Sequence, residues 1–384
     1  MDRETLLNNI LALEAKNMIL VLPTGTGKSR IAVEVCKKNK ANTILIVIPK
    51  LVLIDNWKDE LKKWKYKNKV EFSTYVGLNK KAGNKYDYII LDECHHITDR
   101  SAEFLYSIER DHIIGLSATL PIDKKELLDT VTNPEYYSLS TKQAIENEIL
   151  PDPKVYLMPL ILDNKIKDQV YIKHPKGKGI VECDYLTRFR YLSVKGKQIH
   201  IKCTRKQYYD LLSADIHWYK NRYMITKNII FKNQWLNLAG KRLQYLAHIK
   251  NDEIKKILNR LSDKRVLTFC ATIEQTEVLG KNCINSKNEN SATILKDFNE
   301  GKIKHITSCN MINEGINLAD CQVGVYANLN SSETIIAQRT GRILRHKEPE
   351  IILPYYVGTR EEEIKNSMLE NYNPELIFKY EDYH

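Results

Sequence analysis

Two short stretches carry side chains that could do chemistry on a phosphate. LPTGTGKS (22–29) combines two glycines, a lysine and a hydroxyl, and YDYIILDECHH (86–96) is an apolar run ending in Asp92, Glu93, Cys94, His95 and His96. In the first, Gly25 and Gly27 let the backbone curl so that its N–H groups converge on phosphate oxygens at a helix N-terminus. Lys28 would reach the β- and γ-phosphates, and Ser29 would ligate magnesium. The strict spacing of a phosphate loop wants glycine at position 22, where this chain has Leu22, so a plain turn stands as the alternative. The second stretch could hold a metal or handle a nucleotide. Zinc sites want four ligands at recognisable spacing, and no second Cys/His pair accompanies Cys94, His95 and His96. A phosphate-loop enzyme instead needs an acid at the end of a buried strand for magnesium, with a carboxylate beside it to orient water. On that reading Asp92 is the metal ligand and Glu93 the candidate base.

Both stretches need buried strands to bring them to one edge. NMILVL (17–22), TILIVI (43–48), YDYIIL (86–91) and HIIGL (112–116) are short, nearly all-apolar runs, as in parallel strands covered on both faces. Helical stretches such as KSRIAVEVCKKN and LVLIDNWKDELKKW alternate with them. The same grammar returns near residue 251, with strands RVLTFC, KIKHITS, QVGVYA and EIILPYYV and helices NDEIKKILNRL, IEQTEVLGK and SSETIIAQRTGRIL. The chain therefore reads as two α/β domains, 1–150 and 251–384, joined by an inserted or linking segment, 151–250. In that segment RFRYLSV-KGK-QIHIKCT predicts a hairpin about a Gly turn. Leu236, Ala239, Leu243 and Leu246 predict a helix.

Charge singles out the same segment. The chain of 384 residues has a net charge of +11, yet residues 151–250 hold 20 Lys+Arg against 7 Asp+Glu, and the remainder is close to neutral. Thirteen aromatics are interleaved there, including Tyr208, Tyr209, Trp218, Tyr219 and Tyr223. Most of these rings are expected in a local core and most of the lysines on a surface that meets a polyanion. No apolar run approaches the 18 or so residues of a membrane span, and eight scattered cysteines form no CxxC pair. A reducing, cytoplasmic setting without membrane attachment is expected. The Lys-, Asn-, Ile- and Tyr-rich composition is that expected of an AT-rich coding genome, such as a viral one.

In order and spacing, these stretches resemble the motifs of superfamily 2 DExH-type helicases and translocases. PTGTGKS resembles motif I, VIPKLVLIDNW (47–57) motif Ia, STY (73–75) motif Ib, DECH (92–95) motif II and SAT (117–119) motif III. RVLTFC (265–270) resembles motif IV, CNMINEGINL (309–318) motif V and QRTGRILR (338–345) motif VI. The form of the last is most similar to the branch containing the repair helicase XPB, phage UvsW and restriction-enzyme motor subunits.

The resemblance implies two RecA-like domains with ATP and Mg2+ in the cleft between them. It implies a nucleotide cradle from Pro23, Thr24, Gly25, Thr26, Gly27, Lys28, Ser29 and Arg30, with Gly315 close by from the far lobe. Arg342 and Arg345 would be arginine fingers, and Gln338 would approach the γ-phosphate or the attacking water. His95, Ser117 and Thr119 would couple the phosphate state to domain closure, His95 reaching toward Gln338 or the SAT segment. Pro49, Lys50, Thr74 and Tyr75 on one lobe, with Thr272, Ser308 and Cys309 on the other, would grip a nucleic-acid backbone. Arg339, Arg342 and Arg345 recur at helical spacing and are expected on one face. The chain departs from the family in having Asn317 where an Asp is frequent, and in having no Gln among residues 1–27 to read adenine.

The function expected is therefore a nucleic-acid-stimulated ATPase that moves on or remodels duplex, forked or single-stranded DNA. An RNA helicase of the same chemistry, or a nucleotide-gated sensor with little hydrolysis, are the competing readings. A complete hydrolytic set speaks against the sensor. The two lobes and the insert consume the chain, so no appended nuclease domain is expected.

Overall fold

The computed structural model describes residues 2–15, 17–173, 180–182, 199–309, 318 and 321–383. Strand β2, Thr43–Ile48, shows how its first sheet is built. Ile44, Ile46 and Ile48 enter one core while Leu45 and Val47 enter another. Alternate residues of a strand face opposite ways, so a strand covered on both faces must be apolar throughout. The other strands are β1 Met18–Val21, β3 Lys69–Thr74, β4 Lys85–Asp92, β5 Glu109–Ser117 and β6 Glu135–Ser138. All six are parallel, in the order β3-β2-β4-β5-β1-β6. Helices α1 Arg3–Ala12, α2 Lys28–Lys38 and α3 Leu53–Lys63 cover one face, and α4 Asp99–Tyr106 and α5 Ile122–Thr132 the other. A short helix, α6 Thr141–Glu146, leads out of this domain.

The second sheet has seven parallel strands in the order β12-β13-β11-β14-β15-β7-β16. They are β7 Lys154–Leu160, β11 Val266–Phe269, β12 Cys283–Ile284, β13 His305–Ser308, β14 Val323–Tyr326, β15 Glu350–Tyr356 and β16 Ile377–Lys379. Strand β7 comes from the segment that the sequence assigns to the insert. It pairs with β15 from Lys154 to Leu160, burying Val155 on one side while Tyr156 and Met158 pack on the other. Pro159 disguises this strand in the sequence, but it sits beyond Leu157, the last residue that β16 pairs. A missing N–H is tolerated there.

The described residues in the rest of the linking segment form a small sheet and a long helical pair. Strand β10, Ile199–Cys203, pairs antiparallel with β8, Gln169–Lys173, and parallel with β9, Ile180–Glu182. The last strand of the expected hairpin is thus present, whereas its first arm lies outside the described residues. Helices α7 Arg205–Thr226 and α8 Ile229–Ile249 then pack side by side. Leu246 at the base of α8 is fully buried, while Leu236 toward the tip is 51% exposed. Among the described aromatics of the segment, Tyr171 and Tyr209 are buried and Trp218 is 49% exposed. The expectation that most of these rings lie in a local core holds at Tyr171, which packs with Ile201, Leu211 and Leu212 between the small sheet and α7, and at Tyr209, but not at Trp218.

The module is anchored to the second domain. Lys250, at the end of α8, is fully buried and donates to Glu361 Oε1 at 2.5 Å and to the Pro354 carbonyl at 3.2 Å. The other oxygen of Glu361 accepts from the Tyr356 N–H. Tyr209, Leu246 and Tyr356 close an apolar patch around this pair. Among the described residues no helix is long and apolar enough to cross a membrane.

We expect Lys250→Met to cost about 3–5 kcal/mol, because it strands an unpaired carboxylate in the interior. Adding Glu361→Gln should recover much of that loss while keeping the acceptor for Tyr356. Denaturant unfolding of the two variants measures both effects.

Candidate active site

The loop after β1 is shaped to receive an anion. Gly25 and Gly27 have φ of 97° and 91°, the left-handed region where a Cβ is strained. Thr26 braces the loop from within, its hydroxyl donating to the Pro23 carbonyl at 2.9 Å. Helix α2 starts directly after Gly27 with no side-chain cap and no acid in its first turn. Helices α4, α6 and α7, by contrast, each close their first turn with a capping box. The first N–H groups of α2 and its positive dipole end are thus left for a ligand. Lys28 Nζ donates to the Leu22 carbonyl at 2.9 Å. Burial lowers the Lys28 pKa, while the Glu93 and Asp92 carboxylates work the other way. Ser29 lies in the first turn of α2. Arg30 turns aside: it forms an ion pair with Glu4 of α1, and its guanidinium lies 4.3 Å over the Trp64 ring.

Asp92 ends β4, and Glu93 follows with φ 48°, ψ 56°. A non-glycine residue held in this region carries strain, and such strain gathers at working sites. Burial, together with the Glu93 charge, pushes the Asp92 carboxyl up to about 6, opposed by a hydrogen bond from Trp57. That bond runs from Trp57 Nε1 to Asp92 Oδ2 at 2.8 Å. Glu93 Oε2 is buried and has no hydrogen-bond partner, although His95 Nδ1 stands 3.4 Å away.

After helices α9 Asn251–Arg260, α10 Ile273–Leu279 and α11 Ser291–Asn299, the second domain meets this loop through α12, Glu333–Ile343, the eleven-residue helix before β15. A Cβ placed on Gly341 would lie 2.3 Å from Thr24 Cβ and 2.8 Å from the Thr24 carbonyl oxygen. Only glycine permits so close an approach. Leu344, one residue past the helix, is buried in the first domain's core. Gln338 is buried with its Nε2 unpartnered, and so is Thr24 Oγ1 in the loop opposite. Burial pulls the Arg342 pKa down to about 9, helped by Arg345 and opposed by Glu93. Arg345 lies beyond the helix and donates to the Leu318 carbonyl at 3.4 Å. Arg339 faces its own domain, donating to the Asn328 and Cys270 carbonyls with its guanidinium 5.2 Å over Phe269. The expected single face of three arginines is corrected in this respect, since positions three and six residues apart drift around a helix.

A chain of hydrogen bonds crosses the cleft beside these charges. His95 Nδ1 is 2.9 Å from Ser117 Oγ, and the Ser117 hydroxyl donates to the Thr119 carbonyl at 2.5 Å. With that proton committed, Nδ1 of His95 is the donor. Thr119 Oγ1 then meets Thr334 Oγ1 of α12 at 2.6 Å. His95 therefore reaches the SAT segment rather than Gln338 directly, and the crossing is made by two threonines.

The expected nucleic-acid positions divide. Pro49 and the exposed Lys50 follow β2, and after them come Leu51 and Val52, 65% and 68% exposed. Thr74 ends β3, its Oγ1 accepting from the Gly77 N–H. Thr272 caps the helix Ile273–Leu279 and pairs with His248 Nε2 at 3.0 Å. The side chains of Tyr75, Ser308 and Cys309 are buried, at 6%, 3% and 7% exposure, which leaves their backbone groups as the ones to meet a phosphate. Gly315, like Asn317, lies outside the described residues.

The site fits a magnesium nucleotide: a loop with glycine at both positive-φ positions, an uncapped helix end, a half-buried lysine and orphaned polar atoms on Glu93, Gln338 and Thr24. The sequence reading passed over Trp57, Thr334 and Gly341. Gly341 carried a signal, as the one glycine of α12.

Comparison with known proteins agrees with the geometry. Residues 3–83 and 64–122 match the family described as "Type III restriction enzyme, res subunit", and residues 249–347 match "Helicase conserved C-terminal domain". The DNA 3'-5' translocase XPB2 of Sulfurisphaera tokodaii is 22% identical over 365 residues, covering 89% of this chain and 77% of that protein. In fold, the chain is similar to the Hef helicase domain of Pyrococcus furiosus, with a TM-score of 0.51 at 14% identity over 95% of this chain and 97% of that one. It is also similar to S. cerevisiae Dbp5 bound to RNA and ADP BeF3, with a TM-score of 0.60 at 12% identity over 98% and 88%.

We expect Gly341→Ala to lower steady-state NTP hydrolysis by about five- to a hundredfold, since overpacking costs about 1–3 kcal/mol and about 1.36 kcal/mol is tenfold in rate. The melting temperature should stay near that of the parent, because the clash is with the other domain. A hydrolysis assay beside a thermal melt checks this.

Proposed function

Because the chain is a superfamily 2 helicase/translocase of the XPB and restriction-enzyme type, and so an ATP-hydrolysing enzyme, we propose that it couples ATP hydrolysis to movement on or remodelling of DNA. The observation that carries this reading is the meeting of opposite charges from two domains at one loop. Lys28 feels Glu93 and Asp92 as attractive charges, and Arg342 and Arg345 as repulsive ones. A polyphosphate placed among them relieves the repulsion and holds the domains together.

In this reading the amides at the start of α2 and Lys28 bind the β- and γ-phosphates, with Pro23 to Gly27 forming the cradle. Ser29 and Asp92 would hold magnesium, which when bound would neutralise charge on the phosphates. Glu93 takes the proton of the attacking water, and Gln338 orients that water or the γ-phosphate. Arg342 and Arg345 stabilise the charge that develops as the bond breaks, a role worth about 10³ to 10⁵ in rate. Hydrolysis removes the group that both domains grip, and the Thr119–Thr334 contact is then free to part.

DNA is the favoured track because the matched relative is described as a DNA translocase. The basic segment supports a polyanion in general: between Ile216 and Asn251 there is no Asp or Glu. At the tip of the helical pair, Lys220, Arg222, Lys227 and Lys232 sit over the rings of Trp235, Trp218 and Tyr223. Cations and half-exposed rings of this kind meet phosphates and bases. Pro49, Lys50, Thr74 and Thr272 would grip the backbone near the cleft.

One assay tests the proposal: hydrolysis measured with duplex, single-stranded and forked DNA and with RNA, beside Lys28→Ala. We expect DNA to stimulate and Lys28→Ala to abolish turnover. Stimulation by RNA alone would make this an RNA helicase, and no stimulation by any nucleic acid would end the motor reading. Glu93→Gln should keep nucleotide binding and lose about 10²–10⁴ in hydrolysis.

A further inference from the structure

The carboxylate that would hold magnesium is itself held from the surface side. Trp57 Nε1 donates to Asp92 Oδ2 at 2.8 Å, and the Tyr75 hydroxyl donates to the Asp92 carbonyl at 2.9 Å. Oδ1 of Asp92 accepts only a weaker bond from the Glu93 N–H at 3.1 Å. The two donors belong to different segments. Trp57 lies on α3, which begins at Leu53, directly after Pro49, Lys50 and the exposed Leu51 and Val52. Tyr75 directly follows Thr74, which stands at the end of β3. Both rings are buried, with Trp57 3% and Tyr75 6% exposed.

We infer that Trp57 and Tyr75 are positioning residues through which a nucleic acid gripped at residues 49–52 and 74 sets the magnesium-holding carboxylate of Asp92. The inference rests on the motor reading above for its trigger. Helix α3 buries Leu53, Trp57 and Leu61 along one face, so it moves as a rigid body against the sheet. Packed interiors transmit such shifts rather than absorb them. A displacement at the exposed start of α3 therefore turns the indole N–H, and with it Oδ2. Tyr75 fixes the other end of the same residue, so the carboxylate pivots about a held backbone. The surface segments thereby report to the metal site within one domain, independently of the threonine contact that crosses the cleft. Tyr75 is buried for this reason: its polar atom is turned inward to Asp92 instead of outward to a phosphate.

The test uses the full chain with Trp57→Phe, Tyr75→Phe and the double change, which delete one N–H or one O–H and keep most of the packing. Magnesium is titrated against binding of a fluorescent ATP analogue, without turnover. The ratio of DNA-stimulated to unstimulated hydrolysis, DNA affinity and melting temperature are measured alongside. We expect Trp57→Phe to raise the magnesium needed for half-maximal binding by about 10–100-fold, the usual effect of losing a partner of a metal ligand. The stimulation ratio should fall in all three variants, most in the double change, with DNA affinity unchanged. A purely structural role would instead lower the melting temperature and leave the magnesium midpoint alone. Parental magnesium midpoints and stimulation ratios in both single variants would overturn the inference. If the parent protein responds to no nucleic acid, the motor reading fails, and the magnesium titration still decides whether Trp57 positions Asp92.

Discussion

The approach of Gly341 to Thr24 is the contact on which the rest of the site depends. One backbone lies against another with no room for a Cβ. That contact brings α12 of the second domain over a loop of the first and delivers Arg342 to the neighbourhood of Lys28 and Glu93. Each domain alone holds part of this group of charges. Leu344 beds into the far domain's core, and Thr119 meets Thr334, so closure is specific in position as well as favourable.

What closure assembles is electrostatically unfinished. Lys28 and Arg342 have their pKa values lowered by burial, and Asp92 has its carboxyl raised. Each of these shifts marks a charge kept out of water without full compensation. Perturbed groups of opposite sign in one cleft are the signature of a site waiting for a charged ligand. A magnesium nucleotide would supply negative phosphate for Lys28 and the arginines, and positive metal for Asp92. The buried Lys250–Glu361 pair is the contrast, for there each charge is answered inside the fold. One pair anchors the helical module; the other set turns over.

Much of this was legible in the sequence, for a physical reason. TILIVI, YDYIIL and HIIGL are strands because nothing polar can sit in a sheet covered on both faces, and β2 spans the same six residues that the apolar run marked. PTGTGKS stood out because positive φ demands glycine in a loop. Strand β7 was hidden because its partner, β15, lies about two hundred residues away and no local pattern encodes that pairing. Arg339 looked like a third cleft arginine because spacing says which residues are near one another, not which way the helix is rotated. Tyr75 looked like a surface contact because its motif ends a strand at the active edge. Its inward turn depends on Asp92, which is distant in sequence. Trp218 is left half exposed because ring content does not say how far along a helical pair a covering layer will extend.

The claim that hydrolysis requires the two domains to close and part at each turnover is tested most directly by tying them together. Thr119→Cys with Thr334→Cys places two sulfurs where the side-chain oxygens now stand 2.6 Å apart. In the oxidised protein, steady-state hydrolysis should fall while one bound nucleotide is still cleaved, and reductant should restore turnover. Undiminished steady-state hydrolysis by fully cross-linked protein would contradict it.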